Sequence, residues 1–374
     1  MSSPIRARPI APAPARLYDS HQVNADNSIT FRLDAPNAQR VDLVTDIDAT
    51  MLPLTKSDEG LWSVTTSPLS PALYAYAFSV DGVDQADPRN PWLKPNLLSN
   101  ASMVLVPGTP AQPWELVAVP HGTVHSHVYS TAFVEGLPAN QSRYVVYTPA
   151  DYSSQAKTQY PVLYLLHGWS DWETSWTQIG QAHLIFDALI ASGKAKPMVV
   201  VMPLGYGQMR FVQSGFGVWQ DPTAVAENVR RFQEALLSEI MPQVEAGYNV
   251  RGDREGHALA GTSMGGLESL LIGLSHTDQF AWIGGFSSAL THFDSLRGPA
   301  LPPGLNTRSA GLRLLWIACG TEDPLLASNQ RSIAWLELQG LPVTAVETPG
   351  GHIWPVWRDN LVQFAPLLFQ ETRG

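Results

Sequence analysis

A serine between two glycines lies where a short apolar run meets a second apolar run with helical character. Residues 261–265 form the pattern Gly-x-Ser-x-Gly around Ser263. The run at 257–260 is typical of a buried strand, and the run at 266–272 is typical of the start of a helix. A serine on such a strand-to-helix turn projects its hydroxyl out of the sheet, and the glycines avoid side-chain clashes within the turn. The pattern therefore predicts a nucleophile elbow and serine-catalysed hydrolysis of an ester.

A serine hydroxyl is a weak nucleophile unless a histidine removes its proton, and a carboxylate must orient that histidine. Sites built on such an elbow follow the chain order serine, acid, histidine. His352 is the predicted base because it follows an apolar alternation at 343–346 and so occupies a loop at the end of a strand. Of the other histidines after Ser263, His276 ends the elbow helix and His292 precedes the strand expected to carry the acid.

The acid is expected in the loop that follows an apolar run at 312–318. That loop holds two neighbouring carboxylates, Glu322 and Asp323, and the next residue is a proline. An aspartate before proline is also common in ordinary turns, but its position between an elbow and a loop histidine favours a catalytic role. Asp323 is predicted to orient His352, and Glu322 is the alternative, predicted to face solvent.

Two backbone amides are expected to stabilise the negative charge that develops on the ester oxygen. One is the amide of Met264, at the N-terminus of the elbow helix. The second is expected from the loop after an earlier strand, where His167, Gly168 and Trp169 follow an apolar run. The amide of Trp169 is the predicted donor, and that of Gly168 is the alternative. His167 is predicted to be a structural hydrogen-bonding residue, since it precedes the serine and so has the wrong position for a base.

Aromatic residues are concentrated near these predicted catalytic positions. Aromatic faces suit the stacking of a sugar ring or a phenolic acyl group. About half of the group is expected to be structural, and Trp169 and Trp354 are favoured as substrate contacts because they adjoin catalytic positions. The predicted substrate-binding residues are Trp169, Trp172, Trp219 and Trp354, and the same group includes Trp176 and Phe216.

The elements that must position these residues lie in the second part of the chain. Beyond residue 125, continuous apolar runs at 161–166 and 198–202 alternate with helical patterns, which predicts a doubly wound, mostly parallel sheet. Catalytic residues should then lie at the carboxyl ends of its strands. The predicted organisation is a flexible tail at 1–20, a small all-β immunoglobulin-like sandwich at 21–107, a linker at 108–125 and an α/β-hydrolase domain at 126–374.

Composition narrows the classes of function. The chain has 374 residues, 44% of them hydrophobic, and a formal charge of -10, which suits two globular domains and argues against nucleic-acid binding. The single Cys319 excludes an intrachain disulfide, and no run approaches the roughly 18 apolar residues of a membrane span. No signal-peptide pattern is visible, so a cytoplasmic location and secretion after removal of a signal both stay open, as does the oligomeric state.

No cofactor or metal is expected. His121, His125 and His127 have suggestive spacing for a metal ion, but they lack a neighbouring cysteine or carboxylate, so a solvated linker is the favoured interpretation. The segment 205–207 follows a predicted strand, yet it lacks the lysine and the third glycine of a phosphate-binding loop.

Four segments resemble the carbohydrate-esterase family that contains feruloyl and acetylxylan esterases, a family that is similar to enterochelin esterases and mycolyltransferases. The matching segments lie at 160–168, 260–266, 319–323 and 350–358. The resemblance implies an α/β-hydrolase fold, and it maps a Ser-Asp-His triad onto Ser263, Asp323 and His352.

The N-terminal part resembles the early-set, glycogen-binding-like module often attached to these enzymes. The matching pieces are Asp81-Gly82-Val83 and the segment Asp-Pro-Arg-Asn-Pro at 87–91. One departure from the family is His257, because its members often carry Arg-Ala before the elbow strand. That difference affects a supporting contact and leaves the triad chemistry intact.

The leading hypothesis is a serine esterase that acts on feruloyl or acetyl esters of plant polysaccharide. Siderophore and other aryl esters are alternative substrates, and an acyltransferase would use the same steps with an alcohol in place of water. A hypothesis of another class makes the sandwich a carbohydrate-binding domain, and no membrane or nucleic-acid partner is expected. Its candidate sugar platform is Trp62, Tyr74, Tyr76 and Trp92, although the period-two spacing of Tyr74 and Tyr76 favours core packing.

Overall fold

The structure is a computed structural model that describes residues 17–46, 51–302, 306 and 310–371. The first 16 residues, which make up most of the predicted tail, lie outside these described residues. The chain divides into two compact units. The smaller unit contains the residues up to Leu93 together with Ala101–Val106, and the larger contains Lys94–Asn100 and the chain from Pro107 onward. The segment Lys94–Asn100, within the predicted range of the sandwich, clusters with the larger unit.

The smaller unit is all-β, as the alternation of apolar and polar residues at 29–33 and 40–44 predicts. Its strands pair antiparallel in two sheets. The first sheet has the order β1 (His21–Val23), β2 (Ile29–Asp34), β6 (Leu61–Thr65) and β5 (Thr55–Lys56). The second has the order β4 (Leu52–Pro53), β3 (Val41–Thr45), β7 (Ala72–Val80), β10 (Ala101–Val106) and β9 (Leu93–Lys94), with β8 (Val83–Gln85) also paired to β7.

Side chains from both sheets share one core. Phe31 of β2 packs on Tyr76 of β7, with ring centroids 4.6 Å apart. Trp62 and Tyr74 are buried in the same core. Three members of the candidate sugar platform therefore serve packing, as the period-two spacing favours, while the fourth, Trp92, is 38% exposed.

A buried polar cluster explains the Asp-Pro-Arg-Asn-Pro segment of this unit. The Tyr76 hydroxyl donates to Asp87 Oδ2 at 2.6 Å, and Asn90 Nδ2 donates to Tyr76 Oη at 3.0 Å. Asn90 also donates to the carbonyl of Met103, and the amide of Asp87 donates to Ser102 Oγ. Buried polar groups that satisfy one another in this way hold a loop against a sheet, so the segment has a structural role.

The larger unit is built on a mixed sheet that is parallel from its third strand onward, in accordance with the predicted α/β-hydrolase fold. In the described part of the chain the strand order is β11 (Thr123–Ser130), β12 (Gln141–Thr148), β14 (Val199–Pro203), β13 (Val162–Leu166), β15 (His257–Thr262), β16 (Trp282–Phe286), β17 (Leu314–Gly320) and β18 (Thr344–Thr348). Every residue of β13 to β16 is buried. Such continuous apolar strands need helices on both faces.

The helices of this unit alternate with the parallel strands. In the described part of the chain the α-helices are α1 (Ser175–Gln178), α2 (Ala182–Ala191), α3 (Arg210–Gln213), α4 (Pro222–Ala235), α5 (Met241–Gly247), α6 (Met264–Ser275), α7 (Phe293–Ala300), α8 (Leu326–Leu338) and α9 (Trp354–Phe364). Helix α4 starts at a proline preceded by Asp221, whose carboxylate accepts the amides of Thr223 and Ala224. Among the described residues, no helix is both long enough and apolar enough to cross a membrane.

The sheet order brings separate parts of the sequence to one edge. Strands β13, β15, β16, β17 and β18 are adjacent and parallel. Their carboxyl ends therefore meet along the same edge. The segments that follow β13, β15, β17 and β18 are the four that carry the predicted catalytic residues.

Candidate active site

Ser263 occupies a strained turn between β15 and α6. Its backbone has φ 53° and ψ -111°, a conformation that residues with a side chain rarely adopt. Two hydrogen bonds hold this backbone: the Ser263 amide donates to the carbonyl of Phe286 at 2.9 Å, and the amide of Ala289 donates to the Ser263 carbonyl at 2.9 Å. The segment after β16 therefore fixes the turn from one side.

The glycines around the serine are required by the close approach of neighbouring backbone. A Cβ atom on Gly265 would lie 2.6 Å from the His167 carbonyl oxygen and 2.6 Å from Leu166 Cβ. A Cβ atom on Gly261 would lie 2.6 Å from the Gly265 carbonyl. The amide of Gly265 donates to the same His167 carbonyl at 3.1 Å. The elbow thus packs directly on the end of β13, at a distance that only glycine permits.

Ser263, His352 and Asp323 form one hydrogen-bonded chain. His352 Nε2 lies 3.0 Å from Ser263 Oγ, and His352 Nδ1 lies 2.8 Å from Asp323 Oδ2. The carboxylate can only accept, so Nδ1 carries the proton and Nε2 faces the serine as an acceptor. This is the tautomer that a histidine needs in order to remove a proton from a serine.

The carboxylate of Asp323 is buried and held in place. It lies three residues after β17, and its Oδ1 accepts the amide of Leu325 at 2.8 Å. Burial opposes ionisation, but the hydrogen bond of His352 and the charge of its protonated form, together with the amide of Leu325 and the hydroxyl of Ser287, outweigh burial and lower the pKa of Asp323 below its ordinary value. The neighbouring Glu322 is exposed. Of the two candidate acids, Asp323 is therefore the one that the structure places against His352.

The two predicted oxyanion donors lie on either side of the serine: Met264 is the first residue of α6, and Trp169 lies in the loop after β13. In the described part of the chain, neither the amide of Trp169 nor that of Met264 donates to a protein acceptor. Gly168 lies beside the nucleophile, because a Cβ atom on it would be 3.4 Å from Ser263 Cβ. An oxyanion donor must be free of a protein acceptor in this way, so Trp169 stays the predicted second donor, with Gly168 as the alternative.

His167 fixes the loop that carries Trp169. Its Nδ1 donates to the carbonyl of Gly168 at 2.8 Å, and its Nε2 accepts the amide of Gly205 at 2.8 Å. Because the carbonyl only accepts and the amide only donates, the ring is neutral with its proton on Nδ1. Burial lowers the pKa of His167 to about 4, which keeps the ring in this form. The geometry agrees with the predicted structural role.

Three packed tryptophans, Trp357, Trp354 and Trp176, form a row that begins at the ring of His352. The ring of Trp357, in α9, packs edge-on against the His352 ring with centroids 5.0 Å apart. Trp354 lies between Trp357 and Trp176, at centroid distances of 5.2 and 5.1 Å. Trp354 is 3% exposed and Trp176 is 1% exposed. The prediction that Trp354 contacts substrate is therefore not supported, because neighbouring rings cover its side chain; it supports the histidine loop instead.

Other aromatic residues remain partly open to solvent. Trp169, Trp172 and Trp219 are half-buried, and Phe216 is 74% exposed. Trp169 and Phe216 pack edge to face with centroids 5.6 Å apart, and Trp169 Nε1 donates to the carbonyl of Phe211. Proximity in sequence to the predicted catalytic positions indicates this aromatic group, but it does not separate the solvent-exposed members from the buried ones.

One buried carboxyl near the site was not predicted. Asp171 is 5% exposed and lies in the turn that follows Trp169. Burial raises the pKa of Asp171 to about 6, against the opposing effects of the Lys94 charge, a hydrogen bond from Asn96 and the His352 charge. The sequence feature that could have identified Asp171 is its position three residues after Gly168, in the predicted oxyanion loop. No sequence feature identifies Asn96, because it lies within the predicted range of the sandwich.

The three histidines with suggestive metal spacing have other partners. His121 Nδ1 lies 2.8 Å from Asp187 Oδ2, and His127 Nε2 lies 2.6 Å from Tyr248 Oη. His125 and His127 belong to β11, an edge strand of the sheet, and not to a solvated linker. Across the described residues, no group of three metal-ligating side chains is found.

The fold and the site together define an α/β-hydrolase-like protein with a serine on a nucleophile elbow. The model of a family described as "Putative esterase" matches residues 139–368, and the chain belongs to this family. A second model, carbohydrate-binding module 48 (isoamylase N-terminal domain), matches residues 18–93. The smaller unit is thus similar to that module, and the larger unit carries the esterase fold.

Individual relatives agree with this assignment. The chain is 27% identical over 354 residues to an endo-1,4-beta-xylanase/feruloyl esterase of Xylanibacter ruminicola, covering 93% of this chain and 46% of that protein. It spans about half the length of this and other curated relatives. A solved ferulic acid esterase is 25% identical with a TM-score of 0.55, covering 67% of this chain and 99% of the other.

The fold likeness extends over nearly the whole chain in another solved structure. The enterobactin esterase of Shigella flexneri, solved in the presence of enterobactin, superposes with a TM-score of 0.67 and covers 94% of each chain. Its sequence is 20% identical. At this identity the likeness concerns the fold and leaves the substrate open.

Proposed function

We propose that the chain is a serine carboxylic ester hydrolase that works through an acyl-enzyme. The observation that carries the proposal is the hydrogen-bonded chain from Asp323 through His352 to Ser263, with distances of 2.8 and 3.0 Å. The strained backbone of Ser263 adds support, because strain at a buried turn persists where function requires a fixed side chain.

The proposed reaction has two steps that use the same groups. His352 Nε2 takes the proton of Ser263 as Oγ attacks the ester carbonyl, and the amides of Trp169 and Met264 bind the oxyanion. His352 then gives the proton to the leaving alcohol, and an acyl-serine remains. Water, activated by His352, hydrolyses the acyl-serine. Asp323 keeps the proton of the imidazole on Nδ1 and stabilises the imidazolium in both steps.

The proposed substrates are feruloyl or acetyl esters of plant polysaccharide. The half-buried rings of Trp169, Trp172 and Trp219, with the exposed Phe216, provide aromatic faces for a phenolic acyl group or a sugar ring. The names of two relatives, a xylanase/feruloyl esterase and a ferulic acid esterase, support the phenolic choice. The match to a carbohydrate-binding module supports contact with the polysaccharide.

The module's contribution can be tested in the full chain. Trp62, Tyr74 and Tyr76 are buried, so a sugar platform would need exposed residues such as Trp92. We expect the Ser263→Ala chain to be retained on insoluble xylan and the Trp92→Ala variant of that chain to be retained less. Equal retention would remove Trp92 from the proposal, and no retention by either chain would leave the module a structural accessory.

The decisive experiment measures hydrolysis of methyl ferulate, p-nitrophenyl acetate and acetylated xylan. Wild type, Ser263→Ala and Ser275→Ala are assayed in parallel, since Ser275 lies at the far end of the same helix. Activity that is lost only in Ser263→Ala supports the serine mechanism, and the ratio among substrates separates phenolic from acetyl esters. Full activity of Ser263→Ala would refute the mechanism.

Two further results would redirect the substrate assignment. If wild type cleaves none of the three esters, siderophore-type aryl esters become the next substrates to assay. If an added sugar alcohol captures the acyl group in preference to water, the chain is an acyltransferase that uses the same triad.

A further inference from the structure

The segment Lys94–Asn100 contacts the loop that carries the predicted oxyanion donor. Asn96 Nδ2 donates to Ser170 Oγ at 2.8 Å and to Asp171 Oδ1 at 3.1 Å. The amide of Leu97 donates to the carbonyl of Ser170 at 2.8 Å. All these residues belong to the larger unit. Two neighbouring residues of one segment thus hold the turn immediately after Trp169.

The turn needs such support because its backbone is strained. Ser170 has φ 69°, in the left-handed region that favours glycine. The amide of Asp171 donates to the Gly168 carbonyl at 3.2 Å, which closes the turn around Trp169. On the other side, the Tyr206 hydroxyl donates to the carbonyl of Asp171 at 3.1 Å.

These bonds form a continuous line of peptide groups that ends at Trp169. Leu97 N–H bonds the Ser170 carbonyl, and that carbonyl shares a planar peptide group with the N–H of Asp171. The Asp171 N–H bonds the Gly168 carbonyl, which shares its peptide group with the N–H of Trp169. The orientation of the Trp169 N–H is therefore set by the bonds on the opposite side of its own peptide. Hydrogen bonds in a line also polarise one another and strengthen the terminal donor.

We propose that Asn96 is a positioning residue for the oxyanion hole, because the two hydrogen bonds donated by its Nδ2 lock the turn that orients the Trp169 N–H. The Oδ1 atom of Asn96 accepts the amides of Leu98 and Ser99, which holds the side chain in place. The proposal rests on the serine esterase function proposed above. It also assigns the segment Lys94–Asn100 to the reaction, although that segment lies about 70 residues before the oxyanion loop in the chain. Asn96 does not touch the reacting atoms and acts through Ser170 and Asp171.

The test compares Asn96→Ala with Asn100→Ala, a matched change at an exposed asparagine of the same segment. The first readout is the rate at which an aryl fluorophosphonate labels Ser263, followed by intact mass, since the phosphonyl oxygen occupies the oxyanion hole in the adduct. Removing one oxyanion donor outright costs about 10²–10³ in kcat, so a misoriented donor should slow labelling about 10-fold or more. Asn100→Ala should label at the wild-type rate.

The second readout separates positioning from a general loss of structure. With an aryl ester and its thionoester, Asn96→Ala should lower kcat for the ester with KM within twofold, and the ester-to-thionoester rate ratio should fall. A structural defect alone lowers both rates together and leaves that ratio unchanged. Thermal unfolding of both variants shows whether the folded fraction accounts for the loss.

The outcomes for the two proposals are distinct. If wild type is labelled at Ser263 and Asn96→Ala is labelled equally fast, the positioning role is refuted and the esterase proposal stands. An unchanged ester-to-thionoester ratio also refutes it. If wild type is not labelled at all, the serine mechanism fails, and the positioning role fails with it.

Discussion

Two histidine–aspartate pairs in the larger unit have the same local geometry. His352 Nδ1 lies 2.8 Å from Asp323 Oδ2, and His121 Nδ1 lies 2.8 Å from Asp187 Oδ2. Both aspartates are buried, and both histidine rings are partly exposed. Distance and burial alone therefore do not distinguish a predicted catalytic pair from a structural one.

The difference lies in what surrounds each pair. The Nε2 atom of His352 faces Ser263 Oγ, whereas in the described residues the Nε2 atom of His121 has no hydroxyl partner. Asp187 also accepts the hydroxyl of Tyr147 and the amide of Gly122, both at 2.8 Å. The carboxylate of Asp187, in α2, is thus hydrogen-bonded both to the segment of His121 and Gly122 and to Tyr147 of β12. A histidine–aspartate pair becomes a candidate catalytic unit when a strained turn presents a nucleophile to it.

The largest expected effect separates the two aspartates by activity. Asp323→Asn should lower kcat about 10⁴-fold, because an amide in place of the carboxylate favours the wrong tautomer of His352. Asp187→Asn should leave kcat within about twofold, since that pair faces no nucleophile. The measurement is kcat on p-nitrophenyl acetate for both variants, and Glu322→Gln serves as the control for the neighbouring carboxylate. A comparable loss in Asp187→Asn would show that the second pair also serves the reaction.

A smaller effect is expected at the nucleophile elbow, the strained turn that places Ser263 beside the His352–Asp323 pair. Gly265→Ala places a Cβ atom 2.6 Å from the His167 carbonyl oxygen and 2.6 Å from Leu166 Cβ, so the elbow must move away from β13. Overpacking of this kind costs about 1–3 kcal/mol, and backbone contacts put the expected loss at the upper end. The measurement is urea unfolding together with labelling of Ser263. Gly247→Ala, at the end of α5 where nothing lies within 4 Å of the new Cβ, is the control and should be at least as stable as wild type, since alanine lowers the entropy of the unfolded chain.

Much of the fold could be predicted because its signals are local. Continuous apolar runs give the positions of β13 and β14, and the alternating apolar residues at 29–33 and 40–44 give those of β2 and β3. The elbow follows from five residues because only one backbone geometry suits a glycine-flanked serine between strand and helix. Chain order then selected His352 and Asp323, which the structure places in hydrogen-bonding distance.

The remaining features depend on contacts between distant segments. Trp354 lies two residues after His352, but its side chain packs against Trp176 and Trp357 in the core. Its proximity to His352 in the sequence does not indicate that its side chain is buried. Asn96 meets the oxyanion loop from a segment more than 70 residues earlier, so no local pattern reveals it. Likewise, Asp171 is bonded by two segments that are distant in sequence, through Asn96 and Tyr206.

The His121–Asp187 pair should affect stability, whereas the His352–Asp323 pair should affect the rate of the reaction. Asp187→Asn places an amide against His121 Nδ1 and removes the charge that holds Tyr147 and Gly122, so the free energy of unfolding should fall by about 1–3 kcal/mol. Tyr147→Phe removes a single hydrogen bond and should cost about 1 kcal/mol. Urea unfolding at neutral pH measures both. Unfolding midpoints equal to wild type would show that the linker is held without this pair.

His167, whose ring makes hydrogen bonds only to backbone groups, should make the stability of the chain depend on pH. The folded chain keeps His167 neutral down to about pH 4, whereas the unfolded chain protonates it near 6.5. Between these values the unfolded state binds more protons, so this histidine makes the free energy of unfolding rise with pH, by about 3 kcal/mol in total. Asp171 acts in the opposite direction, because the folded chain holds its proton up to about pH 6 and the unfolded chain loses it near 3.8.

The two groups should therefore offset each other in wild type, and removing one should expose the other. We expect the free energy of unfolding of Asp171→Asn to rise more steeply than that of wild type between pH 4 and pH 6, by about 3 kcal/mol. Asp151→Asn, at an exposed aspartate, should follow the wild-type curve. Urea titrations at several pH values across this range give the three curves. Parallel curves for wild type and Asp171→Asn would mean that Asp171 is ionised in the folded chain, and that the carboxylate beside the oxyanion loop carries its charge throughout the reaction.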